Sequence, residues 1–193
     1  MPKATDSKGK TLAAAAKLFR QQGYHGTALQ DVLAAGGSPR GSLYFHFPGG
    51  KEEIGEAALT LAGEAVRQAI AHAAETSDSA LVFVTRVARG MASDLEKSGY
   101  QEGCPIATTA LETAAQSEVL GAATRGAFQK WENEIKRGLQ RFGMTPDQAE
   151  PTATTVLSLL EGALLLARTY RSLAPMHRAE QALKLLISAA PSI

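Results

Sequence analysis

Residues 26–54 read GTALQDVLAAGGSPRGSLYFHFPGGKEEI and contain two helix starts close together. Thr27, followed three residues later by Gln30, predicts a capping box that opens a short helix. The glycine pair at 36–37 predicts its end, because glycine readily adopts the left-handed conformation that closes a helix. Ser38-Pro39 then predicts a new start, since a serine hydroxyl caps free amides and proline fits the first turn. Two short helices joined by a glycine-containing turn are typical of a helix-turn-helix.

The rest of the chain follows the helical period and lacks the alternation typical of strands. Leu12, Ala15 and Phe19 fall on one face of the helix that precedes the motif. We therefore predict an all-α fold of about nine helices, with a three-helix head at 1–50 and a helical body at 51–193. The predicted helices span 6–22, 27–36, 39–47, 51–74, 79–97, 105–115, 117–142, 146–173 and 175–189.

The head and the body differ in charge. Residues 1–51 contain seven Lys and Arg against Asp6 and Asp31, a net charge of +5, and the remainder carries −4. A basic surface attracts DNA phosphates through the release of counterions, or is simply a solvated face. Charge alone leaves both interpretations open.

The third predicted helix has two different sides. Leu43 and Phe47, four residues apart, can pack inward, which leaves an aromatic and basic side exposed. In a major groove, Arg40 reaches a guanine edge or a phosphate, and Phe45 reaches a thymine methyl. Core packing of the aromatic residues is the alternative. The predicted DNA contacts, which include phosphate contacts at two helix starts, are Thr27, Ser38, Pro39, Arg40, Gly41, Ser42, Tyr44, Phe45, His46 and Lys51.

Cysteine and histidine usage argues against a metal or a cofactor. The single Cys104 excludes an intrachain disulfide, and no His or Cys spacing is typical of a metal site. Cys104 is either a thiolate sensor at a helix start or a small buried residue. Glu161 interrupts the most apolar run and needs a partner, which is Arg168, a group of a second subunit or a cationic ligand. With no signal peptide and no membrane span, we expect a cytoplasmic protein.

The quoted motif, with its surroundings from about residue 10 to 58, resembles the signature of the TetR family of bacterial regulators. Its Pro-Arg-Gly-Ser-Leu-Tyr start, its Phe-Pro-Gly-Gly-Lys-Glu-Glu exit and the later run 103–107 are similar to the LmrA/YxaF-like subgroup. The resemblance implies a homodimer whose heads bind successive major grooves of a palindromic operator. It also implies that a small-molecule inducer shifts the helix at 51–74 and so releases the DNA.

Under this resemblance the body at 51–193 binds the inducer and forms the dimer. Broad apolar stripes on the last two long helices predict a four-helix interface between subunits. Its predicted residues are Leu159, Ala163, Leu166, Tyr170, Leu183, Leu186 and Ile187. The candidates for the inducer pocket, each of them also a plausible core residue, are Phe83, Val87, Met91, Leu111, Phe128, Trp131 and Leu165.

Two other functions compete with a ligand-responsive repressor. A small helical enzyme has no support, because the chain shows no nucleotide-binding glycine loop, metal spacing or nucleophile-and-base arrangement. A constitutive DNA-binding or adaptor protein of the same fold, without an inducer, stays open. A ligand that stabilises the protein and weakens its DNA binding would separate the two.

Overall fold

The computed structural model describes residues 4–38 and 43–188, with side chains for 7–38 and 45–188. Over these residues the chain is helical and contains no strand, which confirms the predicted all-α class. None of the described helices is both long and apolar enough to cross a membrane. The helices are α1 (Ala4–Gln22), α2 (Leu29–Gly36), α3 (Leu43–His46), α4 (Gly50–Glu75), α5 (Ala80–Lys97), α6 (Ala107–Thr113), α7 (Glu118–Arg141), α8 (Pro146–Tyr170) and α9 (Ala174–Ser188).

Several helix ends lie where the local signals predict them. α2 is closed by Gly37, whose φ of 64° and ψ of 27° place it in the left-handed region. The Gly37 N–H donates to the Ala34 carbonyl oxygen at 3.2 Å. α5 begins after Ser79, whose hydroxyl oxygen accepts the Val82 N–H at 3.3 Å. Both ends satisfy backbone groups that a helix otherwise leaves unpaired.

The chain packs into two compact units that do not follow chain order. Unit 1 comprises Met1–Glu64 and Cys104–Ala127, and unit 2 comprises Ala65–Gly103 and Phe128–Ile193. α4 and α7 therefore each contribute residues to both units. The functional boundary that we predict after residue 50 stays a prediction, because a packing unit and a functional domain need not coincide.

Unit 1 depends on the close approach of α1 and α2. A Cβ at Gly36 would lie 2.8 Å from the Cα of Thr11, so this crossing requires glycine. Phe19 and Phe47 are buried, with 1% and 2% of their surfaces exposed. Burial of one such side chain stabilises the fold by about 2–3 kcal/mol.

Unit 2 is built on α5, α8 and α9, which pack against one another. Phe83 on α5 is fully buried, and a Cβ at Gly138 of α7 would collide with its ring. Glu134, 8% exposed, accepts hydrogen bonds of 2.6 Å from both Arg67 and Arg137. These partners are needed because burial removes the water around the carboxylate. The hydrogen bonds and opposite charges of the two arginines compensate for that loss.

Candidate nucleic-acid interface

The start of the predicted recognition helix lies outside the described residues. This concerns Pro39, Arg40, Gly41 and Ser42, and Tyr44 is described by its helical backbone alone. Their contacts with DNA stay predictions.

The end of α3 shows the two sides that the sequence predicts. Phe45 is 84% exposed, whereas Phe47 is 2% exposed. The half-buried His46 ring lies edge-on to Phe45, with 5.2 Å between the ring centroids. An exposed phenyl ring next to an imidazole can contact the apolar and the polar edges of a partner.

Thr27 is a correction to the sequence analysis. Its side chain is fully buried, and its hydroxyl donates to the Gly23 carbonyl oxygen at 2.6 Å. α2 instead begins after Ala28, which makes no side-chain cap. The predicted capping box is therefore wrong, because the Thr27 hydroxyl closes the turn between α1 and α2. In this conformation the hydroxyl cannot reach a phosphate.

Ser38 is turned toward α1. Its hydroxyl oxygen lies 2.7 Å from that of Thr11 and 2.9 Å from that of Ser7. The side chain thus fastens the end of α2 to α1, and it is half-buried. A contact between Ser38 and DNA would need a hydroxyl that is already engaged by two others.

Lys51 is half-buried at the start of α4, and its ammonium nitrogen lies 4.4 Å from the centroid of the Tyr24 ring. Burial lowers the pKa of Lys51, and the negative charge of Glu112 partly opposes that shift. Burial also raises the pKa of Tyr24, and Glu52 adds to the increase. The ammonium therefore lies within a cation–π contact and faces a carboxylate.

The sequence analysis did not single out a basic surface on α1. We call it the basic α1 surface and define it by Lys10 and Lys17, two exposed lysines seven residues apart and therefore on one side of α1. Lys8 is also exposed but lies on the opposite side of the helix. The Lys8 ammonium lies 5.3 Å from the centroid of the Phe47 ring. The seven-residue spacing of Lys10 and Lys17 is the signal in the sequence that could have identified this surface. Exposed lysines on one side of a helix, with no exposed acidic residue among the described side chains of α1, suit a polyanion.

The candidates for the inducer pocket divide into buried and exposed residues. In unit 2, Phe83 and Trp131 are buried, and Phe128 lies edge-on to Trp131 at 5.4 Å. Val87 and Met91 are half-buried. Two candidates are wrong because a pocket wall has to be shielded from water: Leu111 is 83% exposed and Leu165 is 58% exposed.

A different part of unit 2 is concave. A groove of about 420 Å³ lies between α5 and α9, with Ala88 and Ala92 among its lining residues and the Arg89–Glu180 ion pair on its walls. It contains none of the predicted pocket residues.

The predicted dimer residues also divide. Leu166 and Tyr170 are exposed, and Leu159, Leu186 and Ile187 are half-buried. Ala163 and Leu183 are wrong, because both are buried within their own subunit. The sequence analysis missed Leu185, which is 75% exposed on α9.

From Pro151 to Tyr170, the exposed side of α8, which we call the α8 face, contains no exposed charged residue. The charged residues Asp147 and Glu150 are exposed in the turns before it, and the exposed side chains that follow are polar, small or apolar. The α8 face consists of Pro151, Thr154, Thr155, Ser158, Gly162, Leu165, Leu166, Thr169 and Tyr170.

Cys104 is buried, and its Sγ accepts the Ala107 N–H at 3.3 Å. This contact lies at the start of α6. It fits the role of a small buried residue, which is one of the two roles that the sequence left open. Among the described side chains, no group of three or more His, Cys, Asp and Glu residues is placed to hold a metal ion.

Comparison with known proteins covers both parts of the chain. Residues 12–58 match the family described as bacterial regulatory proteins, tetR family, and residues 80–182 match the transcriptional regulator LmrA/YxaF-like, C-terminal domain. The chain is 33% identical over 171 residues to the HTH-type transcriptional regulator LmrA of Bacillus subtilis, covering 89% of this chain and 91% of the relative. YxaF of the same organism, an uncharacterized HTH-type transcriptional regulator, is also 33% identical, with 89% and 90% covered.

A solved structure agrees in fold. The crystal structure of a TetR transcriptional regulator from Chloroflexus aurantiacus is 28% identical and superposes with a TM-score of 0.83. The match covers 98% of both chains.

Proposed function

Because the chain belongs to the TetR family of bacterial regulatory proteins, we propose that it is a repressor that binds a palindromic operator as a homodimer and is released by a small-molecule inducer. That it is a DNA-binding transcriptional regulator, and not an enzyme, follows from its relatives and its fold. The observation that carries the DNA-binding site is the exposure of Phe45 beside the buried Phe47, within residues 1–51, whose net charge is +5.

The proposed DNA contacts are of two kinds. The basic α1 surface and Lys51 hold phosphates, which fixes the head on the duplex without reading its sequence. Arg40, Tyr44, Phe45 and His46 read base edges and adjacent phosphates in the major groove. Thr27 takes no part through its side chain, since that side chain is buried.

Selection of the wild-type protein on a random-sequence duplex library tests this proposal. We expect a palindromic sequence whose half-sites lie about one helical turn or more apart. On that duplex, Arg40→Ala and Tyr44→Ala should each weaken binding by about 1–3 kcal/mol and leave the fold intact. Binding by both variants at wild-type strength would remove α3 as the reading helix.

The α8 face supports the proposed homodimer. Charged residues are depleted at the centre of interfaces between proteins, because their desolvation is costly. A helix side with Leu165, Leu166 and Tyr170 exposed and no exposed charge from Pro151 onward therefore fits burial against a second copy. Leu185 on α9 is a further exposed apolar residue of unit 2. Light scattering after gel filtration measures the oligomeric state directly, and a monomer at micromolar concentration would contradict the proposal.

We place the inducer among the aromatic residues of unit 2. Phe83, Phe128 and Trp131, with the half-buried Val87 and Met91, are apolar and aromatic residues of unit 2, and a pocket that opened among them would suit a hydrophobic or aromatic small molecule. A thermal-shift screen with such compounds tests this assignment. A true inducer raises the Tm and also releases the selected duplex, whereas a constitutive regulator shows neither effect.

A further inference from the structure

A carboxylate distant in sequence contacts the turn between α1 and α2. Glu112 on α6 accepts the backbone N–H of His25 on its Oε2, with 2.8 Å between the atoms, although 87 positions separate the two residues. His25 lies in the turn that ends α1, just before α2. Both residues belong to unit 1, so α6 packs with the helix-turn-helix although it lies far along the chain.

Gly23 leaves room for this contact. Its φ of 80° lies in the left-handed region, which disfavours other residues. In addition, a Cβ at Gly23 would collide with the carboxylate of Glu112, whose atoms are the nearest neighbours of that position. Glycine is therefore required both by the backbone of the turn and by the side chain that holds it.

A second contact joins the following residues to the start of α4. The Ser117 hydroxyl donates to Oε1 of Glu52 at 2.6 Å, and its oxygen accepts the Leu120 N–H at 3.1 Å. One serine thus caps the first turn of α7 and holds the first turn of α4. Thus α6 contacts the turn before α2 through Glu112, and the residue before α7 contacts the start of α4 through Ser117.

We propose that Glu112 is a positioning residue for DNA binding: by holding the His25 amide, it sets the orientation of the turn that leads into α2 and α3. The inference rests on the proposed operator binding. Its reason is geometric, because two heads engage two half-sites only when their spacing is kept, and a turn that shifts moves the reading helix with it. α7 begins directly after this segment and continues into unit 2, so a change in unit 2 has a covalent path to the contact.

The sign of the effect separates this role from simple electrostatics. Glu112 is an anion that faces Lys51, and its removal leaves the head more positive. If charge alone mattered, loss of Glu112 would strengthen binding to a polyanion. A positioning role requires the opposite sign.

The test measures binding of the duplex selected by the wild-type protein, at one fixed salt concentration, for Glu112→Ala, Glu112→Gln and Glu56→Ala. Glu56 is an exposed α4 carboxylate in unit 1 and serves as the charge control. We expect E112A to bind about three- to tenfold more weakly, the range for loss of a solvent-exposed, charge-assisted hydrogen bond. E112Q should bind nearly as well as wild type, because its amide oxygen still accepts the His25 N–H. E56A should bind at least as well as wild type.

Hydrogen exchange of the free protein supplies the second readout. Peptides that cover 23–28 should exchange faster in E112A than in wild type, with the core of unit 2 unchanged. A double-mutant comparison adds Gly23→Ala to the wild type and to E112A. The backbone strain at φ 80° is the same in both proteins, but the added Cβ collides with the Glu112 carboxylate only in the wild type. Gly23→Ala should therefore weaken duplex binding more in wild type than in E112A.

E112A binding as tightly as wild type or tighter, or unchanged exchange at 23–28, would overturn the role of Glu112. Failure of the wild-type protein to select any duplex would contradict the proposed function instead. In that case the exchange comparison still decides whether Glu112 holds the turn.

Discussion

Two exposed surfaces of the molecule differ most in charge. The exposed charged residues of the basic α1 surface are lysines, whereas the α8 face carries no exposed charge from Pro151 to Tyr170. A cationic surface suits a polyanion, and an uncharged helix side suits burial against protein, because desolvating charges costs free energy. Under the proposed function, charge separates the two kinds of partner, with the basic α1 surface for DNA and the α8 face for a second copy.

The largest expected effect concerns the two phenylalanines at the end of α3. Phe47→Ala should lower the free energy of unfolding by about 3–5 kcal/mol, because it leaves a cavity in a buried site. Phe45→Ala should leave that free energy nearly unchanged, since Phe45 is already 84% exposed, but should weaken duplex binding. Chemical denaturation and duplex titration of both variants measure the two effects. Equal destabilisation by the two substitutions would show that Phe45 belongs to the core.

The second prediction concerns a charge introduced into the α8 face. Leu165→Glu places a charge within the proposed interface, so the protein should elute as a monomer. Duplex binding should then weaken by about a hundredfold, because one head no longer raises the local concentration of the other. Val82→Glu is the matched control, since Val82 is 37% exposed on α5, outside the α8 face. A dimeric L165E protein would rule out this side of α8 as the interface.

The third prediction tests the basic α1 surface through salt dependence. Lys17→Gln should reduce the slope of log K against log salt by about 0.9, the value for one lost phosphate contact. Lys97→Gln changes the same charge on α5 and should leave the slope as it is. An unchanged slope for K17Q would place Lys17 away from the phosphates.

The smallest expected effect concerns the ion pair between α5 and α9. Arg89 donates to Glu180 at 2.5 Å and 3.2 Å, and this hydrogen bonding lowers the pKa of Glu180. A carboxylate with a lowered pKa in the folded state stabilises the fold above its unfolded pKa, and this contribution is lost as the pH falls through the folded pKa. Glu180→Gln should thus lower the Tm at pH 7 and make little difference near pH 3. An E180Q protein whose Tm at pH 7 equals that of the wild type would contradict this contribution of the ion pair.

Local signals predicted most of the helix ends but only part of the surfaces. Gly37 and Ser79 act through their own backbone and hydroxyl, so the sequence around them is enough. Thr27 has the same cap-like spacing, yet its hydroxyl bonds back to Gly23, a choice that depends on how the preceding turn closes.

Contacts between distant segments could not be read from the sequence. Apolar spacing identified α8 and α9, but it could not decide between Leu183, which faces the core, and Leu185, which faces solvent. That choice depends on which side of α9 packs against α5 and α8. Glu112 gave no signal, because its partner is a backbone amide 87 positions away.

Hydroxyl-radical footprinting of side chains, read by mass spectrometry, tests the division between the two surfaces most directly. With the selected duplex added, Phe45 should become protected. Leu165, Leu166 and Tyr170 should already be protected at concentrations where the protein is a dimer, and should not respond to the duplex. Protection of the α8 residues by DNA, or a Phe45 that stays reactive in the complex, would contradict the assignment of one surface to DNA and the other to a second copy.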